Sequence, residues 1–268
     1  MKRIVRRTLG NILRKVVLFK SHEFRLSALD IVKPTHKIRG EYSSANLYLD
    51  WRHNEIERLD LGWYRDQPVV GDIFDSYYGK IDRIAVVMSM LKGSMYVPGD
   101  VAEFGTYQGH TAVTLNRVLE QSNSNKQLYL FDSFAGMPEI THPLDKDWEQ
   151  GDLASSEAGV RKLFEASPRV HVVPGFFSDS LPNYPDLRFS FCHVDADLYT
   201  SVKECIDYIV PRLSVGGVIV FDDYGFSSCP GAKAAVDDRF GQPPETYIPL
   251  PTAQAVYFGR AGDGVLSK

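Results

Sequence analysis

Short apolar segments typical of β-strands alternate with helical segments from residue 75 to the end of the chain, and this alternation most constrains the fold. The predicted strands cover Asp100–Phe104, Gln127–Phe131, Arg169–Pro174, Arg188–Val194, Gly217–Phe221, 246–250 and 254–259. The predicted helices cover 75–92, a segment ending at Gln121, 157–166, 199–213 and 230–240. Strands that alternate with helices form a mostly parallel sheet with helices on both faces. We therefore predict a doubly wound α/β fold.

Acidic residues end four of the predicted strands. They are Glu103, Asp132, Asp195 and Asp222. The carboxyl ends of parallel strands meet at one edge of the sheet, where such sheets also bind ligands, so these side chains should share one site. Like charges repel and are unfavourable to bury, so stability alone is a poor reason for gathering them there. The sequence therefore predicts a ligand site at this edge.

Composition excludes several classes of protein. The 268 residues are 44% apolar and 24% charged, which suits a chain that buries a sizeable core and excludes wholesale disorder. Three widely spaced cysteines, Cys192, Cys205 and Cys229, argue against a disulfide scaffold and against a zinc site. No run of about 18 apolar residues is present, so we expect no membrane-spanning helix.

The charge is distributed unevenly along the chain. Residues 1–25 carry +7, and because the whole chain carries −4, residues 26–268 carry −11. An acidic body is a poor match for phosphate, so we expect no nucleic-acid partner. The basic segment has helical apolar spacing, which leaves open a helix packed on the body or a partner subunit, a helix on an anionic membrane surface, and a targeting segment. We expect a cytoplasmic protein, with a peripheral membrane contact through residues 1–25 as the open alternative.

We divide the chain into three predicted parts. They are a basic amphipathic segment (1–25), an N-terminal helical or cap region (26–98) and a ligand-binding core (99–268). The cap region contains the aromatic residues Trp51, Trp63 and Tyr64. For these we favour packing or a dimer contact over a substrate pocket.

The first predicted strand leads into a glycine turn. Gly105 allows a tight turn, and Gly109 allows a close approach of a ligand. Tyr107 stands where the dinucleotide-binding fingerprint has its middle glycine, and a bulky residue there crowds a pyrophosphate. Glu103 would repel phosphate but pair with an amine, and Asp132 can accept hydrogen bonds from ribose hydroxyls. The pattern favours a nucleoside with a cationic amino-acid tail, while a dinucleotide site and a purely structural turn stay open.

Two later strands end in paired aspartates. Asp195 and Asp197 follow one strand, and Asp222 and Asp223 follow the next. Adjacent strands lie about 4.8 Å apart, so these carboxylates can share one cation. Hard oxygen donors favour Mg²⁺, with Mn²⁺ or Ca²⁺ as alternatives. The competing interpretation is a set of solvated loop acids and helix caps, in which Asp197 caps the helix that starts near Tyr199.

At these residues the chain resembles the class I S-adenosylmethionine-dependent methyltransferases, and within them the metal-dependent macrocin-type sugar O-methyltransferases, the family of tylosin, mycinamicin and novobiocin tailoring enzymes. The resemblance rests on GDVAEFGTYQGHTA (99–112), FDSFAGMPE (131–139), VVPGFFSDSLP (172–182), HVDADLYTSVKECIDYIVPRLSVGGVIVFDDYG (193–225) and CPGAKAAVDDRF (229–240). These stretches run in the family's order and cover most of residues 75–260. The resemblance implies a Rossmann-like, seven-stranded sheet, mostly parallel with an antiparallel C-terminal strand, and an N-terminal helical extension.

The resemblance implies that S-adenosyl-L-methionine is the cofactor. The residues that it assigns to cofactor binding are Glu103, Gly105, Thr106, Gly109, Asp132, Ser133, Phe134, Ser156, Phe177 and Asp195. Glu103 is expected near the methionine amine, Asp132 at the ribose and Phe177 beside the adenine, with Ser156 as an adenine-side contact. The acidic loop 139–156, which contains Trp148, is expected to close over the cofactor.

The resemblance also implies the reaction. Asp195, Asp222 and Asp223 match the metal ligands, and Asp197 matches the general base. Catechol-type relatives place a lysine where this chain has Leu198, which favours the sugar-type arrangement. The metal would lower the pKa of a sugar hydroxyl on a small molecule or glycan, Asp197 would take the proton, and the methyl group would be transferred in line. The family also leads us to expect a homodimer or a larger homo-oligomer.

Two other functions stay open from the sequence, an NAD(P)-dependent oxidoreductase and a non-catalytic scaffold with a methyltransferase fold. Tyr107 and the paired aspartates argue against the first, and the intact cofactor and metal motifs argue against the second. We expect His193 to be structural rather than catalytic and Cys192 to lie in the core. Cys229 stands at a predicted helix start, where its pKa would be lowered.

Overall fold

The computed structural model of the chain describes residues 81–241 and 247–262. From residue 82 onwards they belong to one compact unit. The predictions for the basic segment 1–25 and for the aromatic residues of the cap region lie outside the described residues. No helix among the described residues has the length and apolar character needed to cross a membrane.

Seven strands and six α-helices lie within the described ranges. The strands are β1 (Asp100–Phe104), β2 (Leu128–Asp132), β3 (Val170–Pro174), β4 (Phe189–Val194), β5 (Leu213–Phe221), β6 (Tyr247–Pro249) and β7 (Ala255–Phe258). The helices are α1 (Ile81–Gly93), α2 (His110–Gln121), α3 (Glu157–Leu163), α4 (Phe177–Ser180), α5 (Tyr199–Ile209) and α6 (Pro230–Phe240). Single 3₁₀ turns occupy Pro143–Asp145, Leu181–Asn183 and Val210–Arg212.

Most predicted boundaries agree with the structure to within a few residues, and the end of α5 shows why one does not. We predicted a helix to 213 and a strand from Gly217, but α5 ends at Ile209 and β5 begins at Leu213. Pro211 has no N–H for the helical ladder, so the chain tightens into a 3₁₀ turn there. Gly216 and Gly217 stay in the strand because they exchange backbone hydrogen bonds with Gly259.

The seven strands form one sheet in the order β3-β2-β1-β4-β5-β7-β6. The five strands β1 to β5 are parallel, while β7 is antiparallel to both β5 and β6. This arrangement confirms the predicted doubly wound, Rossmann-like sheet with an antiparallel strand near the C-terminus. The strand order reverses between β1 and β4, and open α/β sheets bind ligands in the crevice at such a reversal.

Ladder hydrogen bonds continue past the strand ends and fix the loops that follow them. The backbone N–H of Gly105 donates to Phe131 O at 2.9 Å, that of Asp195 donates to Phe104 O at 2.8 Å, and that of Asp222 donates to Val194 O at 2.9 Å. The glycine turn and both aspartates are therefore positioned by the sheet itself. One row deeper, Glu103 of β1 pairs in register with His193 of β4.

An aromatic cluster fills the core beneath the strand ends. Phe104 stacks on Phe131 with ring centroids 5.0 Å apart and meets Phe189 and Tyr208 edge-on. Burying each such side chain contributes roughly 1.5–3 kcal/mol, so this cluster anchors β1, β2 and β4 to one another. Cys192 is buried in this core, as predicted.

The turn after β1 lies against the backbone of the loop after β4, and this yields a stability prediction. A Cβ atom on Gly105 would overlap the Asp195 carbonyl, whereas one on Gly151 would meet nothing within 4 Å. Both glycines have φ near +90°, so Gly151→Ala measures backbone strain alone. We expect Gly105→Ala to lower the free energy of unfolding by at least about 3 kcal/mol and Gly151→Ala by about 1 kcal/mol, measured by urea denaturation. Equal losses would show that the close approach is unimportant.

Candidate active site at the carboxyl edge of the sheet

Glu103 is a buried carboxylate at the end of β1. The residue is 1% exposed, and its Oε1 lies 3.2 Å from Nδ1 of His193. Oε2 has no hydrogen-bond partner among the described residues. Burial raises the pKa of Glu103, and the contacts with His193 and Thr106 only partly offset this. A positively charged ammonium group would compensate the buried carboxylate. The amine of the cofactor's methionine part, which we predicted near Glu103, is such a group.

The glycine turn that follows Glu103 holds the chain close to neighbouring segments. Gly105 and Gly109 both have positive φ, and Gly109 precedes the first residue of α2. Tyr107 also has a positive φ of 49°, which is strained for a bulky side chain. This turn therefore presents the N-terminus of α2 to the site, and the buried Thr106 lies within it.

Asp132, at the end of β2, fastens two backbone turns. Its Oδ2 accepts from the Tyr107 N–H at 2.7 Å, and its Oδ1 accepts from the Phe134 N–H at 2.6 Å. Burial raises the pKa of Asp132, although these backbone donors work in the opposite direction. Ser133 Oγ donates to Gly136 O at 2.7 Å, and Phe134 has a φ of 55°. The turn at which we predicted ribose binding is therefore tied to the glycine turn by hydrogen bonds, and the ribose contact itself stays a prediction.

Two residues predicted near the adenine have structural contacts in this fold. Ser156 caps α3, because its Oγ accepts from the Gly159 N–H at 3.0 Å. Phe177 begins α4, and its ring meets that of Phe104 edge-on at 6.1 Å. Their contacts with adenine stay predictions.

Asp195, Asp197 and Asp223 form an acidic cluster in the loops that follow β4 and β5. Asp223 is 7% exposed, and burial together with the charges of Asp195 and Asp197 raises its pKa well above the usual range. The Asp197 N–H donates to Asp223 Oδ2 at 3.4 Å, and Asp197 has a φ of 54°. A cation would relieve the mutual repulsion of these carboxylates.

Asp222 is buried against an arginine. Arg83 of α1 donates from Nε to Asp222 Oδ1 at 3.2 Å, forms a close ion pair with Oδ2, and donates to the Asp222 carbonyl at 3.1 Å. Gln254 Nε2 also donates to Oδ1 at 2.7 Å. Arg83 approaches Asp223 less closely, at 3.6 Å, and stacks over the ring of Phe226. Asp222 is thus the carboxylate for which the fold itself supplies a counter-ion.

His193 lies between two parts of the site. We call the part around Glu103 and Asp132, where the cofactor is predicted to bind, the cofactor half, and the part that contains the aspartates after β4 and β5 the acidic half. Its Nδ1 contacts Glu103, and its Nε2 lies 3.5 Å from Asp222 Oδ1. The described residues contain two groups whose ligand atoms lie within 4.8 Å of one another. These are His193, Asp195 and Asp222, and Asp197, Asp223 and Cys229. The three predicted metal ligands are therefore divided between two adjoining groups.

The expectation of a lowered pKa for Cys229 was wrong. Cys229 precedes α6, but burial and the neighbouring charge of Asp223 raise its pKa. The thiol donates to Asp197 Oδ1 at 3.4 Å and so acts as a hydrogen-bond donor to the predicted base.

The loop 139–156 contacts the helices beside the acidic cluster. Asp145 is buried, and its Oδ2 accepts from the Tyr199 N–H at 2.9 Å, at the start of α5. The suggested cap was Asp197, but Leu198 is the residue before α5 and makes no side-chain cap, so that suggestion was wrong. Trp148 Nε1 donates to Ser228 O at 3.1 Å. Closure of this loop over a cofactor stays a prediction.

The sequence matches the macrocin-O-methyltransferase (TylF) family over residues 13–247. The chain belongs to this family. It is therefore an S-adenosylmethionine-dependent O-methyltransferase, as the sequence predicted, rather than an oxidoreductase or a non-catalytic scaffold.

Relatives and solved structures support the same assignment. A Streptomyces olivaceus protein named 8-demethyl-8-(2,3-dimethoxy-alpha-L-rhamnosyl)-tetracenomycin-C 4'-O-methyltransferase is 28% identical over 228 residues, which cover 73% of this chain and 86% of the relative. Mycinamicin III 3''-O-methyltransferase of Micromonospora griseorubida is 32% identical over 159 residues, covering 54% and 63%. The structure of the O-methyltransferase NovP matches with a TM-score of 0.61 and 25% identity, over 67% of this chain and 80% of that chain.

Sequence reasoning missed three buried residues that contact the candidate site, Arg83, Gln254 and Asp145. Arg83 carried a usable signal, because it precedes Val87 and Leu91 at helical spacing and both are buried. A charged residue in line with a buried helix face indicates a buried partner. Gln254 and Asp145 carried no comparable signal, since their contacts depend on the tertiary fold.

The buried pair of Arg83 and Asp222 leads to a double-mutant prediction. We expect Arg83→Met to lower the free energy of unfolding by about 3–5 kcal/mol, because it leaves a buried carboxylate without its counter-ion. Adding Asp222→Asn should recover a large part of that loss, which urea denaturation of the single and double variants would measure. The exposed pair of Arg117 and Glu120 provides the control, and Arg117→Met should change stability by less than about 1 kcal/mol. Additive losses at Arg83 and Asp222 would contradict this coupling.

Proposed function

We propose that the enzyme methylates a sugar hydroxyl on a small molecule or glycan, with the help of a divalent cation and with Asp197 as the general base. The observation that carries this proposal is that two groups of buried acidic side chains, each favouring a positively charged ligand, lie close together at one edge of the sheet. Glu103 requires a cationic partner in the cofactor half, and the cluster of Asp195, Asp197 and Asp223 requires one in the other half. The names of the two relatives, a rhamnosyl-tetracenomycin methyltransferase and a mycinamicin 3''-O-methyltransferase, support the choice of acceptor class.

The residues of the cofactor half fit S-adenosylmethionine. Glu103 Oε2 can accept from its amine, and the turn through Gly105 and Gly109 leads into the N-terminus of α2. Asp132 keeps acceptor capacity for ribose hydroxyls beyond its two backbone bonds. When bound, the sulfonium supplies an activated methyl group, so the protein's main contribution is positioning.

The residues of the acidic half fit a divalent cation. Asp195 and Asp223 offer hard oxygen donors, and Asp222 adds a third carboxylate held by Arg83. A bound divalent cation lowers the pKa of a coordinated hydroxyl. Mg²⁺ suits the carboxylates, and Mn²⁺ and Ca²⁺ are the alternatives.

In this proposal, Asp197 takes the acceptor's proton. Asp197 follows the end of β4 and has a left-handed backbone conformation. The residue is partly exposed rather than buried. The thiol of Cys229 fixes one orientation of the carboxylate by donating to Oδ1. Backbone strain of this kind persists where the surrounding structure enforces it, often at catalytic positions.

Three further proposals concern the whole chain. We propose a homodimer or larger homo-oligomer, a cytoplasmic location, and a peripheral membrane contact through residues 1–25. The family and the charge of +7 on that segment support them. Crosslinking and flotation with anionic vesicles would test the first and the third.

Replacing Glu103 separates cofactor binding from stability. We expect Glu103→Gln to weaken S-adenosylhomocysteine binding by about 10- to 100-fold, because a charge-assisted hydrogen bond to the amine is lost. Its melting temperature should stay level or rise, because the raised pKa shows that the buried charge is unfavourable in the absence of the cofactor. Calorimetry and thermal unfolding measure the two effects. Glu165→Gln, at an exposed site, controls for the lost charge and should leave both unchanged.

Replacing Asp197 tests the proposed base. We expect Asp197→Asn to lower kcat by about 10²- to 10⁴-fold on any sugar acceptor that wild type methylates, with S-adenosylhomocysteine affinity unchanged. Transfer of a labelled methyl group measures the rate. Asp207→Asn, on the exposed face of α5, is the matched control. Full activity of Asp197→Asn would assign the proton to another acceptor.

A further inference from the structure

We infer that Trp148 forms one wall of the acceptor site and packs its ring against the sugar that is methylated. This inference rests on the proposed function, to which it adds a residue that binds the acceptor and selects it by shape. Trp148 belongs to the loop 139–156. Three features of that loop support the inference: its base is closed, its tip is fixed by Asp145, and Trp148 lies beside Asp197.

The first feature is the closed base of the loop. The Met137 N–H donates to Asp152 O at 2.8 Å, and the Gly151 N–H donates to Met137 O at 3.0 Å. A Cβ atom on Gly136 would overlap the Gly151 carbonyl, so the two ends of the loop lie in direct contact. A compact surface loop with its ends close together is an Ω-loop, a type that frequently carries functional residues.

The second feature is Asp145, which fixes the tip of the loop against two helices. Asp145 is 2% exposed, and its Oδ2 accepts from the N–H of Tyr199, the first residue of α5, at 2.9 Å. A Cβ atom on Gly231, near the start of α6, would overlap Asp145 Oδ1, so the carboxylate also touches that helix. His142 stacks on the ring of Tyr199 with centroids 4.0 Å apart. These contacts hold the loop without involving the ring of Trp148.

The third feature is the position of Trp148 beside the proposed base. Its Nε1 donates to Ser228 O at 3.1 Å. The next residue, Cys229, donates from its thiol to Asp197 Oδ1 at 3.4 Å. Trp148 and Asp197 are therefore bonded to two successive residues of one short segment. An acceptor with its reacting hydroxyl at Asp197 would lie within reach of the indole ring.

The chemistry of Trp148 fits a sugar. Its side chain has one polar atom, and because Ser228 accepts from that atom, the rest of the side chain offers only ring carbons. The residue is partly exposed, although it also packs against the core. A pyranose is apolar on its C–H faces and polar at its hydroxyl rim, so a face on the indole leaves the hydroxyls for the carboxylates. Small-molecule sites combine aromatic surface with a few polar groups that fix the orientation in this way.

Steady-state kinetics of the full-length enzyme with Mg²⁺ tests the inference. The acceptors are the methyl glycosides of L-rhamnose, D-glucose, D-mannose, D-galactose and D-xylose. For each glycoside that the wild type methylates, we expect Trp148→Leu to raise the KM by about 10- to 100-fold. The kcat should change by less than about threefold and the KM for S-adenosylmethionine should stay the same, because only binding of the acceptor is weakened.

Two further variants isolate the flat ring. Trp148→Phe should recover most of the loss, and since Trp148→Phe and Trp148→Leu both lack the hydrogen bond to Ser228, their difference measures the aromatic ring alone. Leu144→Ala is the matched control, because Leu144 is an exposed apolar residue of the same loop, and it should leave every KM unchanged. Thermal unfolding of each variant shows whether it folds.

The indole N–H signals of [¹⁵N]tryptophan-labelled, full-length protein give a second readout. The chain has three tryptophans, so Trp51→Phe and Trp63→Phe assign the remaining signal to Trp148. With S-adenosylhomocysteine bound, we expect a methylated glycoside to shift the Trp148 signal in the wild type and in Leu144→Ala. If Trp148→Leu does not fold, this shift still decides the question.

The outcomes are distinct. Equal KM values for a glycoside in the wild type and Trp148→Leu, or a Trp148 signal that a methylated glycoside does not shift, would overturn the inference while the proposed function would stand. Equal losses in Trp148→Phe and Trp148→Leu would also overturn it, because they would assign the effect to the hydrogen bond with Ser228. A raised KM for S-adenosylmethionine in Trp148→Leu would overturn it by assigning the residue to the cofactor half. Transfer by the wild type to none of the glycosides would overturn both the proposed acceptor class and the inference.

Discussion

The gathering of carboxylates at one edge of a parallel sheet is the constraint on which the rest of this site depends. Parallel ladders bring the ends of β1, β4 and β5 together whether or not the residues there repel. Arg83 compensates Asp222 within the fold, and it comes from α1, which precedes the first strand of the sheet. Asp195, Asp197 and Asp223 raise one another's electrostatic energy instead. This repulsion is what supports the proposed cation.

Different acidic side chains fix the backbone and serve as candidate ligand contacts. The side-chain carboxylate of Asp132 accepts hydrogen bonds from the backbone of two turns and so fixes their positions. Oε2 of Glu103 has no hydrogen-bond partner in the part of the chain that the structure describes, and Asp197, a member of the acidic cluster, has a left-handed backbone conformation. Asp132 thus fixes the loops through its hydrogen bonds, whereas Glu103 and Asp197 are the residues for which we propose contacts with the ligands.

Much of the fold could be predicted because it depends on local pattern. Alternating strands and helices predict the parallel sheet, and acids at the strand ends predict where the site lies. The start of β5 was misplaced because glycines inside a strand look like a turn until their cross-strand partner, Gly259, is known. The cap of α5 came from Asp145, more than 50 residues away in sequence, so local rules favoured Asp197 instead. Burial reversed the expected pKa shift of Cys229, since the helix start says nothing about the acids packed around it.

The central claim is that a cofactor and a divalent cation occupy adjoining positions on one sheet edge. A crystal structure of the protein with S-adenosylhomocysteine and Mn²⁺, with anomalous data at the manganese edge, tests it most directly. The account expects the cofactor amine at Glu103 and one manganese peak at about 2.2 Å from a carboxylate oxygen of Asp195. Cofactor bound at that position, with no manganese at the acidic cluster, would contradict the claim.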